Sequence, residues 1–266
     1  MNKTYDRTHR AWLASLLPEY SYDVKDKFAI VTGAGSGINH AFVELLLEAG
    51  CSVIIADIQL GPEAEATITK HCKDSDPIDA KVGQYKTFAV NTTGPIRLAQ
   101  IAIDYWLQNR NIEGNLLWIA SLGGYVHSMH TPMYFASKAA IVSMVKSLGG
   151  LRKELGIRNA AVCPGAVYTP IFHPEYCRDR VRPDDLTLTP QQCAAVLMRV
   201  LCEPEFGDGN VVETMLVGSK DDNFVSVREV PLHLLYPTAG PVGQDNHLLE
   251  EEVKMVKQLK EHGMRA

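Results

Sequence analysis

No apolar run in this 266-residue chain reaches the roughly 18 residues that a membrane-spanning helix needs. The stretch from Met1 to Arg10 carries Asp6 and three basic residues and lacks the apolar centre of a secretory signal. A basic excess is missing as well. The net charge of -5 and a pI near 6.0 leave no electrostatic footprint for nucleic acid. The cysteines (Cys51, Cys72, Cys163, Cys177, Cys193 and Cys202) form no CxxC pair, which gives little support to a disulfide framework. A GxxxxGK[ST] loop is absent, so nucleotide hydrolysis of that type is unsupported. Internal repeats and low-complexity tracts are absent too. These absences point to a soluble protein of a reducing, cytoplasmic setting, with no membrane and no nucleic-acid partner.

The chain is 46% hydrophobic, enough to bury one substantial core. Phe28 to Val31 has strand length and runs straight into glycines. Ile38, Phe42, Leu45, Leu46 and Ala49 then recur at helical steps, and Gly50 follows as a residue past a helix end. Ser52 to Ala56 is a second buried strand, ending at Asp57. Strand, glycine turn, helix and strand make a βαβ unit and hence a parallel sheet. Further on, helices are expected over Pro62 to Cys72, Tyr85 to Val90, Ile96 to Trp106, Pro132 to Leu155 and Pro190 to Leu201. Strands are expected over Leu116 to Ala120, Asn159 to Cys163 and Val211 to Val217. Residues 1–24 read as an arm, 25–218 as the α/β domain, and 219–266 as an extension with a terminal helix over Leu248 to Leu259.

Two motifs carry chemistry. In Thr32-Gly33-Ala34-Gly35-Ser36-Gly37-Ile38 the glycines let the backbone approach a pyrophosphate, whose charge meets free N–H groups at the helix start. Asp57 follows Gly37 by 20 residues, where a carboxylate binds ribose hydroxyls and repels a 2′-phosphate, which favours NAD over NADP. The bland alternative is a glycine turn that only permits tight packing. In Tyr134-Phe-Ala-Ser-Lys138, Tyr134 and Lys138 share a helical face, so the ammonium is expected to lower the phenol's pKa. That makes Tyr134 a general acid or base. A surface Tyr–Lys pair would look the same. Ser121, 13 residues earlier and just past a strand, changes the balance, because its hydroxyl can hold the substrate oxygen from the other side.

Taken in order, the glycine turn, Asn91, Ser121-Leu-Gly-Gly124, Tyr134-Phe-Ala-Ser-Lys138 and Pro164-Gly165-Ala-Val-Tyr-Thr169 resemble the motifs of the short-chain dehydrogenase/reductase (SDR) family. The similarity covers residues 25 to 218 and is strongest to fungal members related to 15-hydroxyprostaglandin dehydrogenase. It implies a Rossmann-type doubly wound parallel sheet in a single domain. It also implies an NAD-dependent enzyme interconverting a secondary alcohol and a ketone of a small apolar metabolite, in a fungal secondary-metabolite pathway. Tyr134 would be the acid–base, with Lys138 lowering its pKa and holding the nicotinamide ribose. Ser121 would polarise the reacting oxygen and Asn91 support a proton relay. Gly33, Gly35, Ser36, Gly37, Ile38 and Asp57 would bind the cofactor, along with Asn91, Tyr134 and Lys138. Pro164, Gly165, Val167 and Thr169 would contact its carboxamide and pyrophosphate. Ile171 to Leu186 would be a substrate lid, and a homodimer or homotetramer would form through the helices holding Asn91 and Tyr134. His127 and His130 lack metal-ligand spacing and, with Tyr125, are expected to line the substrate pocket.

Two departures qualify this. Asn39 stands where the family has the third glycine of its first motif. Only 34 residues separate Asp57 from Asn91, about half the family's usual interval, and Lys73 to Lys86 contains no run able to make a buried strand. The third and fourth strands are therefore expected to be missing. In the family's order 3-2-1-4-5-6-7 the fourth strand is central. Its loss orphans backbone groups at about 1–3 kcal/mol each where buried. Either the first and fifth strands close up, or the chain is poorly stable, or its reading frame is shortened. A catalytically silent binding or scaffold protein, and a redox-neutral isomerase or dehydratase using the same tyrosine, stay open beside the dehydrogenase.

Overall fold

The computed structural model describes residues 22–34, 36–56, 85–129, 131–172, 181–182, 185–230 and 248–263. The expected arm up to Ser21, Gly35, Asp57, the helix over Pro62 to Cys72, His130 and the middle of the lid lie outside them. The chain divides into two compact units. One comprises Met1–Cys72, Pro164–Phe206 and Thr214–Val227, and the other Lys73–Cys163, Gly207–Glu213 and Arg228–Ala266.

In the first unit, β1 (Phe28–Thr32) pairs in parallel with β2 (Ser52–Ala56), with Ile30 opposite Ile54. Helix α1 (Gly37–Glu48) joins them and buries Ala41, Phe42, Val43 and Leu46. This is the βαβ unit that the sequence pattern dictates. Asn39 does not disrupt it, because its Nδ2 donates to the Thr32 carbonyl at 2.7 Å. Helix α1 packs on a later helix, Pro190–Cys202, whose start carries a reciprocal capping box between Thr189 and Gln192. That helix is buried along most of its length. The opposite face of the β1–β2 pair is bare. Phe28 is 83% exposed, Ile30 59% and Ile54 56%.

The second unit opens with a helical turn, Lys86–Phe88, that passes through a π-helical stretch, Ala89–Thr93, into α2 (Gly94–Gln108). The expected break at Asn91 is thus a widened turn within one helical rod. Next come β3 (Gly114–Ile119), a 3₁₀ turn (Leu122–Gly124), α3 (Pro132–Ser147), the short α4 (Leu151–Leu155) and β4 (Ile157–Pro164). One long helix was expected from Pro132 to Leu155. It stops at Ser147 because Gly149 and Gly150, poor helix formers, follow directly. Helix α5 is the capped Pro190–Cys202 helix. It precedes β5 (Asp208–Gly218), β6 (Asn223–Glu229) and the terminal α6 (Leu248–His262). Strand β6 forms a hairpin with β5 that the sequence reading missed, although Phe224, Val225 and Val227 supply a strand-like run.

The sheet order is β3-β4-β5-β6, with β3 and β4 parallel, while β1 and β2 form a sheet of their own. Among the described residues no strand lies between β2 and β3.

The second unit's core gathers Ile103, Leu107, Trp118, Ile141, Val145, Ile157 and their neighbours. A polar link runs through it. Asn159, fully buried on β4, accepts from the Trp118 indole at 2.8 Å and donates to the Val145 carbonyl of α3 at 2.8 Å. One amide therefore fastens β3, β4 and α3. Asn159→Leu keeps the volume but orphans the Trp118 N–H and the Val145 carbonyl. The expected loss is about 2–4 kcal/mol of unfolding free energy, read as a lower urea midpoint.

Candidate active site

Strand β3 delivers Ser121 to its position. The Ala120 amide makes the last ladder bond, to Val162, and Ser121 follows in extended backbone. Its Oγ accepts from the Gly123 amide at 3.1 Å and so caps the 3₁₀ turn. Gly124 completes that turn against Val142 of α3, where a Cβ would collide with the valine. The turn is therefore held close to the helix that carries Tyr134. Pro132 starts α3, as a residue with fixed φ and no N–H suits a first turn. Tyr134 lies in that first turn, and the Ser121 hydroxyl hydrogen-bonds its phenol.

Lys138 sits one turn on. Its Nζ lies 5.8 Å from the Tyr134 ring centroid and donates to the Ile119 carbonyl at 3.2 Å. Asn91, in the π-helical turn, reaches α3 through Ser137. Its Nδ2 donates to Ser137 Oγ at 3.2 Å, and that hydroxyl donates to the Tyr134 carbonyl at 2.7 Å. Thr92 donates to the Ser137 carbonyl at 3.2 Å. Widened helical turns are common where side chains must be re-aimed at a site. Ser121, Tyr134, Lys138 and Asn91 are thus brought together in one unit.

Burial governs the electrostatics. The Tyr134 phenol is pushed above its ordinary value by desolvation, the Ser121 hydrogen bond pulls it down, and Cys163 pushes it up. The lowering expected from Lys138 is not what the geometry gives. The lysine is itself desolvated, and burial brings its own pKa down to about 8. Cys163, fully buried near the end of β4, adjoins both groups and is raised to about 12, chiefly by burial. Neither Cys163 nor Ser137 was singled out from the sequence. Ser137 lies inside the Tyr–Lys motif and was readable there, whereas Cys163 becomes a neighbour only through the sheet.

The remaining cofactor candidates lie in the first unit. Gly33 has φ +63° and its amide donates to the Ala56 carbonyl at 2.8 Å. Ser36 stands at the α1 start in extended backbone without capping it through its side chain. Gly37 has φ +66°, and a Cβ there would press Thr169 at 3.3 Å. The loop therefore requires glycine at 37, as a backbone that must come close to a pyrophosphate does. Ile38 packs on the Val167–Leu188–Cys193 cluster. Pro164 ends β4, the Gly165 amide donates to the Thr214 carbonyl at 2.8 Å, and Val167 bridges to Leu188. These residues fit a dinucleotide. Gly35 and Asp57 lie outside the described residues.

Strand, glycine turn, helix and strand in the first unit make the βαβ unit of a Rossmann-type fold. The short chain dehydrogenase family profile matches residues 65–178. An uncharacterized oxidoreductase of Staphylococcus aureus (strain N315) is 26% identical over 231 residues, covering 70% of this chain and 96% of that protein. The NAD(+) 15-hydroxyprostaglandin dehydrogenase of Bos taurus is 27% identical over 189 residues, covering 56% and 71%. Among solved structures, the ligand-free aldohexose dehydrogenase of Thermoplasma acidophilum is similar at TM-score 0.54 and 22% identity, covering 73% of this chain and 94% of that one. The 3-ketoacyl-(acyl-carrier-protein) reductase of Brucella melitensis, complexed with NADH, is similar at TM-score 0.54 and 23% identity, covering 71% and 97%. The chain is thus similar to short-chain dehydrogenases over residues 65–178 and shares their α/β fold.

Because Lys138 is lowered in the fold, the native state carries a desolvated cation below pH 8. Between about 8 and the ordinary 10.5 the unfolded chain holds the extra proton, so stability contributed at this site rises with pH over that window. Urea unfolding at several pH values is expected to show that rise as a growing difference in unfolding free energy between the parent chain and Lys138→Met, since the raised thiols act on both alike.

Proposed function

We propose that the chain is an NAD-dependent dehydrogenase/reductase that interconverts a secondary alcohol and a ketone on a small apolar metabolite. The observation carrying this reading is the hydrogen bond between Ser121 and the Tyr134 phenol, with Lys138 a turn away on α3. Ser121 orients the substrate oxygen towards Tyr134. Tyr134 exchanges the hydroxyl proton with that oxygen. Its raised pKa keeps it a phenol near neutrality, a form suited to protonating a ketone as it is reduced. Asn91 and Ser137 hold the α3 backbone at the tyrosine, and Lys138 supplies a cation whose lowered pKa lets it give up or regain a proton near pH 8. A nicotinamide cofactor, its pyrophosphate held by the glycine turn, would supply or accept the hydride.

The setting proposed is cytoplasmic, with a secondary-metabolite pathway as the resemblance implies. No helix among the described residues is long and apolar enough to cross a membrane. Leu98, Ile101 and Tyr105 are exposed on α2, which favours assembly into a homodimer or homotetramer through that helix. The preference for NAD over NADP rests on Asp57.

One observation favours a second reading, a silent scaffold. The Lys138 ammonium is already engaged by the Ile119 carbonyl. NADH fluorescence titration separates the two readings. Saturable binding, tighter than that of NADPH, is expected of the dehydrogenase, and absence of saturation supports the scaffold. Tyr134→Phe is expected to leave the NADH dissociation constant in place. Turnover of a panel of secondary alcohols and ketones should fall at least about 100-fold. Unchanged turnover in that variant would overturn the assignment.

A further inference from the structure

Glu213 takes no part in the motifs above, yet it is a buried carboxylate, only 7% exposed, in the middle of β5. Burying a carboxylate is costly unless donors satisfy it. Two do. Arg228 Nε of β6 donates to Oε1 at 2.6 Å, and the Tyr125 hydroxyl donates to Oε2 at 3.0 Å. The arginine alone would serve to fasten β5 to β6. The tyrosine links the carboxylate to something else, because Tyr125 closes the 3₁₀ turn that begins at Ser121.

We propose that Glu213 is a positioning residue for the Ser121 hydroxyl, acting through Tyr125. This rests on the reading of Ser121 and Tyr134 as the acid–base pair. The turn is short and internally bonded. The Gly124 amide donates to the Ser121 carbonyl at 2.9 Å and the Tyr125 amide to the Leu122 carbonyl at 3.0 Å. Fixing Tyr125 therefore fixes the backbone from which Ser121 projects. The turn is held at two points, against Val142 of α3 by Gly124 and against β5 by the Tyr125–Glu213 bond.

With both in place, Ser121 Oγ accepts from Gly123 and its proton is left for Tyr134. The bond is durable across pH. Burial, Cys163 and Glu213 all push the Tyr125 phenol upward, which keeps it a donor, and only Arg228 pulls it down. Tyr125 was expected to line the substrate pocket, but its hydroxyl turns to Glu213 instead.

The test uses the full chain labelled at tyrosine 13Cζ, with the Tyr134 resonance assigned by its loss in Tyr134→Phe. Ser121→Ala supplies the reference position for a phenol without its serine partner. Tyr125→Phe and Glu213→Leu are expected to move the Tyr134 resonance most of the way to that position. Glu213→Gln, which retains an acceptor for the phenol, should restore the parent position. With whichever panel alcohol the parent chain oxidises, Tyr125→Phe is expected to lower kcat about tenfold and leave KM and NADH affinity unchanged. That corresponds to the loss of one hydrogen bond's worth of orientation.

A Tyr134 resonance that stays in place in Tyr125→Phe overturns the proposal, as does one that moves in Tyr125→Phe but not in a folded Glu213→Leu. Deleting a single hydroxyl keeps the test available should Glu213→Leu fail to fold. A parent chain that turns over nothing would sink the enzymatic reading. The resonance would still report whether the strap positions Ser121.

Discussion

The unit that carries Ser121 and Tyr134 depends on a single buried amide. Asn159 has no exposed surface, and its side chain takes one hydrogen bond from Trp118 on β3 and gives one to Val145 on α3. Ser121 follows β3 and Tyr134 belongs to α3, so the separation of the two hydroxyls is set by the distance Asn159 imposes between strand and helix. Apolar packing alone is non-directional and would let α3 slide over the sheet. The amide permits one register, since any shift leaves a buried donor or acceptor without a partner. Gly124 against Val142 adds a steric stop at the site itself.

Around that frame, desolvation is the dominant electrostatic influence. It raises Tyr134 and Cys163 and lowers Lys138, in each case ahead of any neighbouring charge. The i, i+4 spacing of Tyr134 and Lys138 was expected to make the lysine lower the phenol. Spacing puts two groups on one face but says nothing of how dry that face is. In a dry site the ammonium is penalised as the phenolate is. Its Nζ finds the Ile119 carbonyl, while the serine hydroxyl assists the phenol. The result is a protonated tyrosine beside a lysine poised near neutrality.

The other unit carries an apolar face on its small sheet. The β1–β2 pair is hydrogen-bonded to no further strand among the described residues, and its uncovered face shows Phe28, Ile30 and Ile54. Scattered apolar exposure is ordinary, but these three large side chains adjoin on one small sheet and form a patch. The glycine turn itself is intact, because its conformation is set locally, by Gly33 and Gly37 at positive φ and by the Asn39 bond to Thr32.

Local physics thus wrote much of this protein into its sequence. The βαβ unit, the starts of α3 and α5 at proline, and the identity of Ser121, Tyr134, Lys138 and the glycine turn follow from periodicity, capping and spacing, which act within a few residues. The short interval between Asp57 and Asn91 was legible too, although residues 57–84 lie outside those described. The stop in α3 was also local, at Gly149-Gly150, but the apolar pattern running through it concealed it. What only the tertiary structure decided is everything that depends on dryness or on strands meeting. Cys163 comes beside Tyr134, Glu213 beneath Tyr125 and Asn159 between Trp118 and Val145 because a sheet brings together residues dozens of positions apart. The pKa directions follow from the resulting exclusion of water, a property of the packed site that no sequence interval records.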